Sequence, residues 1–343
     1  MRALVTGATG FLGSRVVCAL ADRGHDVRAL VRPASDVTRL AWPGSVEIYR
    51  ADLRGRADLS PAFEGVDVLV HLAATVAGDD DSRWQGTVVA TERLLESMKC
   101  TKTNRLVLAS SFSCYDWTKA GGKLTEETPL ENRGVYERDS YAVAKLWQER
   151  LARRYADSLG WDLRVIRPGF IWGRGNEWQA GLGQPLGRHV IVIGPMARPP
   201  LTHVDNCADA FAVVSERDEA AGETFNMVDG HALSSWRFVK AYQRGMNEPG
   251  WRLPVPYLAG LAIAYLAQAT SRVLFGRQGK LPSILVVRRF CARFRPINCQ
   301  PDRLKELLGW SPPFDFRECL ARTFDSAHVP TGAGCRPSEG RDD

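Results

Sequence analysis

The chain has 343 residues, of which 45% are hydrophobic and 24% are charged, and its formal net charge at pH 7 is +6. This length excludes a single short module, and the balanced composition excludes a largely disordered chain. Both predict a globular α/β domain with room for a second, smaller part.

The first element along the chain is an apolar strand at residues 3–5, followed by the glycine-rich sequence TGATGFLG and an amphipathic helix. Such a turn points the first backbone N–H groups of the helix at one place, where the helix dipole also favours an anion such as a pyrophosphate. Gly7 permits the tight turn, Gly10 permits the approach of a phosphate, and Gly13 permits close packing of helix on strand. The cofactor contacts predicted in this turn are Gly7, Thr9, Gly10, Phe11, Leu12 and Gly13.

Strand-like and helix-like runs then alternate through the first half of the chain. The pattern predicts strands at residues 3–5, 27–31, 46–49, 68–72, 106–109 and 163–166, and helices at 11–23, 59–63, 85–98 and 139–158. These strands are apolar without a period of two, as expected when helices cover both faces of a sheet. We therefore predict a doubly wound parallel sheet, a Rossmann-type α/β fold, over residues 1–167.

The pattern is looser after residue 167. Strands are predicted at 190–193 and 224–227, and helices at 205–215, 301–308 and 316–327. Because insertions after strand ends build substrate sites in such sheets, we assign 168–327 mainly to substrate binding, with about 204–227 returning to the core. Residues 328–343 are rich in proline and glycine and are predicted to be a disordered tail.

Four positions bear on the cofactor beyond its pyrophosphate. The second strand ends at Arg32, where NAD-binding proteins of this architecture usually have an acidic residue for the ribose hydroxyls. A guanidinium fits a 2′-phosphate, so Arg32 favours NADP(H), although a surface arginine at a strand end would leave NAD(H) open. Asp52 could accept from the adenine amino group, and Ala73 and Ala74 leave room for the cofactor to lie against backbone.

A second group of residues predicts acid–base chemistry. Tyr141 and Lys145 are four residues apart on a predicted helix, and Ser111 follows the fifth strand. This spacing places both side chains on one helix face, so the Lys145 ammonium is expected to favour the Tyr141 phenolate. The Ser111 hydroxyl can bind a carbonyl or alcohol oxygen while a hydride moves at carbon and a proton moves through Tyr141.

Taken together, these motifs resemble those of the extended short-chain dehydrogenases/reductases. The matching segments, within about residues 1–327, are 6–13, 52–53, 71–74, 110–115, 141–145, 167–173, 202–205 and 308–312. The resemblance implies a Rossmann-type domain, NAD(P) dependence and catalysis by Ser111, Tyr141 and Lys145. It also implies that Leu53 and Pro168, with the tyrosine and the lysine, contact the cofactor.

Departures from the family pattern bear on the substrate. Thr87 stands where the family often has an asparagine, which leaves the local hydrogen bonding open. Phe170 stands where nucleotide-sugar enzymes usually have an asparagine, and residues 199–204 lack the arginine that would meet a diphosphate. The chain most resembles the group that contains 3β-hydroxysteroid dehydrogenases and dihydroflavonol-type reductases.

The leading hypothesis is an NADP(H)-dependent oxidoreductase that interconverts a secondary alcohol and a ketone on a hydrophobic or hydroxysteroid-like small molecule. The alternative is a sugar or nucleotide-sugar epimerase, dehydratase or reductase with bound NAD(P). A non-catalytic dinucleotide-binding protein is the third hypothesis, which the intact Ser–Tyr–Lys set disfavours.

For the leading hypothesis we expect a largely apolar cleft above Ser111 and Tyr141, covered by residues 168–203 and 255–275. The side chains expected to line it are Phe170, Trp172, Trp178, Met196, Pro199 and Pro200. An inward turn of Arg174, Arg188 or Arg198 would restore an anion site and favour the epimerase alternative.

Residues 255–275 are apolar, but polar residues in their last third make a membrane span marginal. A buried or substrate-covering helix is favoured over a membrane-surface contact. Residues 271–300 carry seven basic and no acidic side chains, for which a solvated face is favoured over an anionic membrane or substrate. The family resemblance implies a homodimer through helices 85–99 and 139–158, and we expect no nucleic-acid partner.

The eight cysteines are scattered, with no C-x-x-C pair and no His/Cys cluster at metal-ligand spacing. We therefore expect reduced thiols and no metal site. Met1 leads directly into the first strand, so no export signal is expected and a cytoplasmic protein is predicted.

Overall fold

The computed structural model of the chain describes residues 1–134, 138–231, 233–276 and 281–325. The predicted tail at 328–343 lies outside the described residues. The first half contains strands β1 (Arg2–Thr6), β2 (Asp26–Val31), β3 (Glu47–Arg50), β4 (Val68–His71), β5 (Arg105–Ala109), β6 (Lys123–Leu124) and β7 (Asp162–Pro168), with helices α1 (Phe11–Asp22), α2 (Asp80–Trp84), α3 (Ala90–Lys99) and α4 (Ser140–Leu159).

The second half contributes further short strands and helices. They are β8 (Phe170–Trp172), β9 (Gly183–Leu186), β10 (His189–Ile193), β11 (Leu201–His203), α5 (Val204–Glu216), β12 (Thr224–Met227), α6 (Ser235–Gly245), β13 (Arg252–Val255), α7 (Tyr257–Phe275), α8 (Val287–Phe294), β14 (Asn298–Cys299), α9 (Asp302–Leu308) and α10 (Phe316–Phe324).

The central sheet has seven parallel strands in the order β3-β2-β1-β4-β5-β7-β12. One apolar layer, which includes Val17 of α1 and Phe211 of α5, covers one face of the sheet. Another layer, which includes Leu95 of α3 and Ala152 of α4, covers the other. The predicted doubly wound Rossmann-type sheet is confirmed. Strand order changes direction between β1 and β4, and ligands bind at such a switch point in open α/β sheets.

Three small sheets lie outside the central one. They pair β8 with β11, β6 with β14, and β10 with both β9 and β13. Helix α5 and strand β12 belong to the central sheet and its covering layer. Most of the short outer strands were not predicted, because two to four residues carry too little periodicity to distinguish a strand from a loop.

The helix predicted at residues 85–98 is not regular. A π-helical turn, Gln85–Val89, separates α2 from α3. The Thr87 hydroxyl accepts a hydrogen bond from the Thr75 backbone N–H at 3.0 Å. A Cβ atom on Gly86 would lie 1.9 Å from the Thr75 hydroxyl oxygen, so this close approach requires glycine. The buried threonine thus supplies local hydrogen bonding at the position where the family often has an asparagine.

The expectation of a buried or substrate-covering helix at 255–275 is wrong for most of α7. Within its most apolar 18-residue window, 17% of the residues are buried. By length and composition, α7 is the one helix among the described residues that could cross a membrane.

Candidate functional site

A cleft of about 970 Å³ runs over the carboxyl ends of the central strands. Its walls contain every residue that the sequence assigned to the cofactor or to catalysis: Gly7, Thr9, Gly10, Phe11, Leu12, Gly13, Arg32, Asp52, Leu53, Ala73, Ala74, Ser111, Tyr141, Lys145 and Pro168. These residues meet because the carboxyl ends of parallel strands share one edge of the sheet. In the part of the chain that the structure describes, no three His, Cys, Asp or Glu side chains are grouped to hold a metal ion.

The glycine turn has the backbone geometry that a pyrophosphate requires. Gly7 has a φ of +67°, and a Cβ atom there would lie 2.8 Å from the Ala73 backbone nitrogen. A Cβ atom on Gly13 would lie 2.0 Å from the Gly7 carbonyl oxygen, so α1 can pack here only with glycine. No side chain caps α1 at Gly10, which leaves its first N–H groups available to a ligand. The turn therefore fits the phosphates of a dinucleotide.

Arginine side chains line the end of the cleft where β2 and β3 finish. Arg32 follows β2, as predicted, and a second cation, Arg54, was missed because it lies in an irregular loop. Asp52 accepts hydrogen bonds from Arg54, at 2.9 Å from its backbone nitrogen and 3.2 Å from Nη2. The Arg54 side chain is the main cause that lowers the pKa of Asp52. The carboxylate is thus already engaged with a cation.

The two serines after β5 have different environments. The buried Ser110 hydroxyl donates to Glu149 Oε2 at 2.5 Å. The Ser111 hydroxyl accepts from the Ser113 backbone N–H at 3.1 Å and lines the cleft beside Tyr141, whose pKa it lowers. This arrangement supports the choice of Ser111 as the residue that faces a substrate.

The expected effect of Lys145 on Tyr141 is not what the structure shows. The Lys145 ammonium donates to the Ala109 carbonyl oxygen and, at 2.6 Å, to Gln148 Oε1. Burial raises the pKa of Tyr141 to about 12, and the Cys114 thiol adds to this rise while Ser111 opposes it. Burial also lowers the pKa of Lys145 to about 8. The phenol is therefore protonated at neutral pH, which suits donation of a proton to a ketone oxygen.

Gln148 links the Lys145 ammonium to the interior of the fold. Its amide nitrogen donates to the Thr91 hydroxyl at 2.8 Å and to the Ala73 carbonyl oxygen at 3.1 Å. It also lies 3.1 Å from His71 Nε2, and burial lowers the pKa of that histidine to about 3. The sequence analysis missed Gln148, although its spacing of three residues from Lys145 on one helix was a usable signal.

We predict that Gln148 sets the proton affinity of Lys145. Gln148→Glu places a carboxylate beside the ammonium, so the alkaline limb of the pH–rate profile should move up by about one pH unit or more. Gln148→Leu removes the acceptor and should move this limb downward. Steady-state rates measured over pH check both variants, and a loss of rate with an unmoved profile would assign Gln148 a packing role only.

The other half of the cleft differs from the predicted apolar pocket. Phe170 and Pro200 line it as expected, together with Phe112, Trp117 and Ala292. The other expected side chains, Trp172, Trp178, Met196 and Pro199, do not line it. Trp172 is buried against Phe238, with ring centroids 5.0 Å apart. Residues 169–200 and α8 border this half, whereas α7 contributes no side chain to it.

Three arginines line this same half, contrary to the expected lack of anion ligands: Arg138, Arg289 and Arg293. The three arginines named in the sequence analysis, Arg174, Arg188 and Arg198, do not line the cleft. Thus part of the basic segment 271–300 faces the cleft and is not simply a solvated face.

The three arginines differ in their hydrogen bonds to the protein, and within the described residues the Arg293 side chain makes none. Arg138 donates to the Ser113 carbonyl oxygen, and Arg289 Nη2 donates to the Arg138 carbonyl oxygen at 2.8 Å. Burial lowers the pKa of Arg293, Asp139 opposes this effect, and the other two arginines reinforce it. Arg138 also pairs with Glu131, with Nε and Oε2 3.6 Å apart. The three arginines thus face two carboxylates, Asp139 and Glu131, and the local charge is positive.

Residues 3–227 match the model of the NAD dependent epimerase/dehydratase family. Over 344 aligned residues the chain is 27% identical to a 4-hydroxy-2-methyl-3-oxo-4-farnesyl-3,4-dihydroquinoline-1-oxide ketoreductase of Stigmatella aurantiaca, covering 98% of this chain and 99% of that protein. It is 23% identical to the decarboxylating sterol-4-alpha-carboxylate 3-dehydrogenase of Mus musculus, covering 94% and 90% of the two chains. A 178-residue match with 39% identity, to sterol demethylase protein B of Methylococcus capsulatus, covers about half of each chain.

Among solved structures, the chain resembles UDP-glucuronic acid 4-epimerase of Bacillus cereus in complex with UDP-glucuronic acid and NAD. The TM-score is 0.69 and the sequence identity 19%, over 95% of this chain and 98% of that one. Thermus thermophilus UDP-glucose 4-epimerase in complex with NAD gives a TM-score of 0.67 at 22% identity, over 96% and 98% of the two chains. At these identities the likeness establishes the fold.

Proposed function

Because the chain belongs to the NAD-dependent epimerase/dehydratase family, we propose that it is an NADP(H)-dependent oxidoreductase that interconverts a secondary alcohol and a ketone on a hydrophobic or hydroxysteroid-like small molecule. The observation that carries this proposal is the single cleft that joins the glycine turn to Ser111, Tyr141 and Lys145. The names of its ketoreductase and sterol-dehydrogenase relatives support the same reaction type.

The bound nicotinamide cofactor would supply or accept the hydride. The chain's own residues would hold the reacting oxygen and move the proton. Ser111 donates a hydrogen bond to the substrate oxygen, and the protonated Tyr141 gives its proton to that oxygen as a ketone is reduced. Lys145 lies one helical turn from Tyr141 and would contact the nicotinamide ribose, while Pro168 and Ala73 form part of the cleft wall.

The preference for NADP(H) rests on the cations at the adenosine end. Arg32 and Arg54 both line that end, and a guanidinium pairs with a phosphate through two parallel hydrogen bonds. Asp52, which the sequence assigned to the adenine amino group, already accepts a hydrogen bond from Arg54.

We predict that Arg32→Asp reverses the cofactor preference. The new carboxylate would repel the 2′-phosphate of NADPH and accept hydrogen bonds from the ribose of NADH. Dissociation constants for both cofactors, measured by protein fluorescence on the parent chain and the variant, check this result. Arg50→Asp is no suitable control, because Arg50 supports the loop after β2 through the Pro33 and Ser35 carbonyl oxygens. Arg56→Asp makes the same charge change in the next loop and is the control. Equal affinities of the parent for NADPH and NADH would contradict the proposal.

A nucleotide-sugar enzyme is the second candidate, and one observation favours it. Arg138, Arg289 and Arg293 provide the positive charge that a diphosphate requires at the substrate end. The same cleft half is also lined by Phe112, Trp117 and Phe170, which favour an apolar substrate. NADPH or NADH consumption with a panel of cyclic and steroid ketones, beside binding of UDP-, GDP- and dTDP-sugars, decides between the two.

We further propose a homodimer in the cytoplasm. Trp147 lies on one of the two helices that the family resemblance assigns to a dimer, and Trp84 directly precedes the other; both are half-exposed and contact each other edge to face, with centroids 6.1 Å apart. Large aromatic side chains are enriched at protein interfaces. The seven cysteines within the described residues are free thiols, which is compatible with a reducing compartment.

A further inference from the structure

Helix α7 is attached to the rest of the protein along one narrow face. Gly260, Ala264 and Ser271 are its buried residues. A Cβ atom on Gly260 would lie 2.7 Å from the Phe290 ring of α8, so the two helices are in close contact there. Gln268 Oε1 accepts from the Val287 backbone N–H at 3.2 Å. These contacts hold α7 against the protein from Gly260 to Ser271.

The opposite side of α7 is apolar and exposed. Exposure of its large side chains ranges from 55% for Ile263 to 84% for Val273. The exposed set comprises Leu258, Ile263, Tyr265, Leu266, Val273, Leu274 and Phe275. Leu258, Leu266 and Val273 follow one another at spacings that return to the same side of a helix. A continuous apolar surface of this kind marks a site of interaction with a membrane or another protein.

The charge around α7 distinguishes these two occupants. Residues 249–301 contain no aspartate or glutamate, and Arg272, Arg277 and Lys280 stand on the end of α7 or directly after it in the sequence. Of the other basic side chains, Arg288 pairs with Asp116 and Glu131, and Arg289 and Arg293 line the cleft. Arg272, near the end of α7, is exposed. A second copy docked through this face would bring like charges together, whereas anionic lipid headgroups would complement them.

We infer that α7 binds to the surface of a membrane that contains anionic lipid, with the helix lying in the plane of the interface. Its exposed apolar side chains would enter the boundary between headgroups and acyl chains, as in other interfacial helices. A spanning orientation would break the contacts of Gly260 and Gln268 with α8 and would place Arg272 in the hydrocarbon.

This surface also adjoins the cleft through α8. Phe290 of α8 contacts α7, while Arg289, Ala292 and Arg293 of α8 line the substrate half of the cleft. A hydrophobic substrate dissolved in lipid would thus be presented next to the cleft. This point rests on the proposed function, whereas membrane binding itself does not.

The test is sedimentation of the full chain with lipid vesicles. Phosphatidylcholine vesicles with phosphatidylglycerol should carry the protein into the pellet, and those without it should carry less. The variant Leu266→Glu/Val273→Glu should lower the partition coefficient at least about tenfold, since two carboxylates would have to leave water. Ile48→Glu is the matched control, because Ile48 is an exposed apolar residue on β3, away from α7. We expect this variant to bind vesicles like the parent.

Circular dichroism and cofactor binding establish that each variant is folded. Parent protein that stays in the supernatant with anionic vesicles, or a double variant that binds them as the parent does, overturns the inference. If the parent does not bind vesicles and is a dimer in solution, while Leu266→Glu/Val273→Glu is a monomer, the apolar face of α7 would be assigned to a second copy of the chain instead. Reduction of a water-soluble ketone, measured in parallel, shows whether the proposed chemistry stands when membrane binding fails.

Discussion

Tyr141→Phe is expected to lower turnover at least about a hundredfold with little change in cofactor affinity. The substitution removes the phenol hydroxyl that lines the cleft beside Ser111, while the ring keeps its packing. Burial holds the pKa of this phenol at about 12, so the parent carries the proton that a reduced ketone needs. Single-turnover rates with saturating NADPH measure the loss directly.

Tyr155→Phe is the matched control for this prediction. Tyr155 lies on the same helix, but its hydroxyl donates to Glu96 at the surface, away from the cleft. We expect its turnover to equal that of the parent. A fully active Tyr141→Phe protein would exclude the Ser–Tyr–Lys mechanism, whatever the substrate proves to be.

Arg167→Met is expected to destabilise the fold by about 3–5 kcal/mol, because it leaves a buried carboxylate without its main partner. The Arg167 guanidinium donates to Glu149 through Nε at 3.0 Å and Nη2 at 2.5 Å, and both side chains are almost fully buried. It also donates to the Tyr115 hydroxyl at 2.8 Å. Urea unfolding followed by circular dichroism measures the change, and Arg154→Met, an exposed arginine on α4, should unfold like the parent.

The same ion pair gives the parent a defined acid sensitivity. Burial opposes ionisation of Glu149, but hydrogen bonding and charge from Arg167 outweigh it and hold the pKa at about 2. An ordinary glutamate in the unfolded chain has a pKa of about 4.3. The pair therefore stabilises the fold above that pH, and its contribution is lost as pH falls from about 4.5 toward about 2. If Arg167→Met has the same urea midpoint as the parent and also unfolds at the same acid pH, the Arg167–Glu149 pair has no role in stability.

The sequence located the cofactor half of the cleft because that half depends on local rules. Three glycines in one short segment predict the phosphate-binding turn, and a spacing of four residues predicts that Tyr141 and Lys145 share one helix face. Ser111 joins them because parallel strands end at one edge of the sheet. None of these inferences needs to know how distant parts of the chain pack.

The substrate half depends on tertiary packing, which sequence patterns do not carry. Trp172 and Met196 have the composition of a pocket wall, yet one is in the core and the other is 82% exposed. Arg293 reaches the cleft because helix α8 packs beside the cleft. The sequence pattern of α8 does not indicate where that helix packs. The spacing of Gln148 from Lys145 was a usable signal, but it does not by itself single out this acceptor, because a helix offers a buried ammonium several acceptors one turn away.

The burial of Lys145 bears on the stability of this fold. With 2% of the residue exposed, the Lys145 ammonium loses most of its hydration, and two hydrogen bonds to neutral oxygens restore only part of it. A methionine or leucine would fill the same space without that loss, so stability alone gives no reason for a lysine at this position. Lys145 therefore lowers the stability of the fold in return for its role at the cleft. Substitutions meant to stabilise the protein without loss of activity should be made at positions other than Lys145.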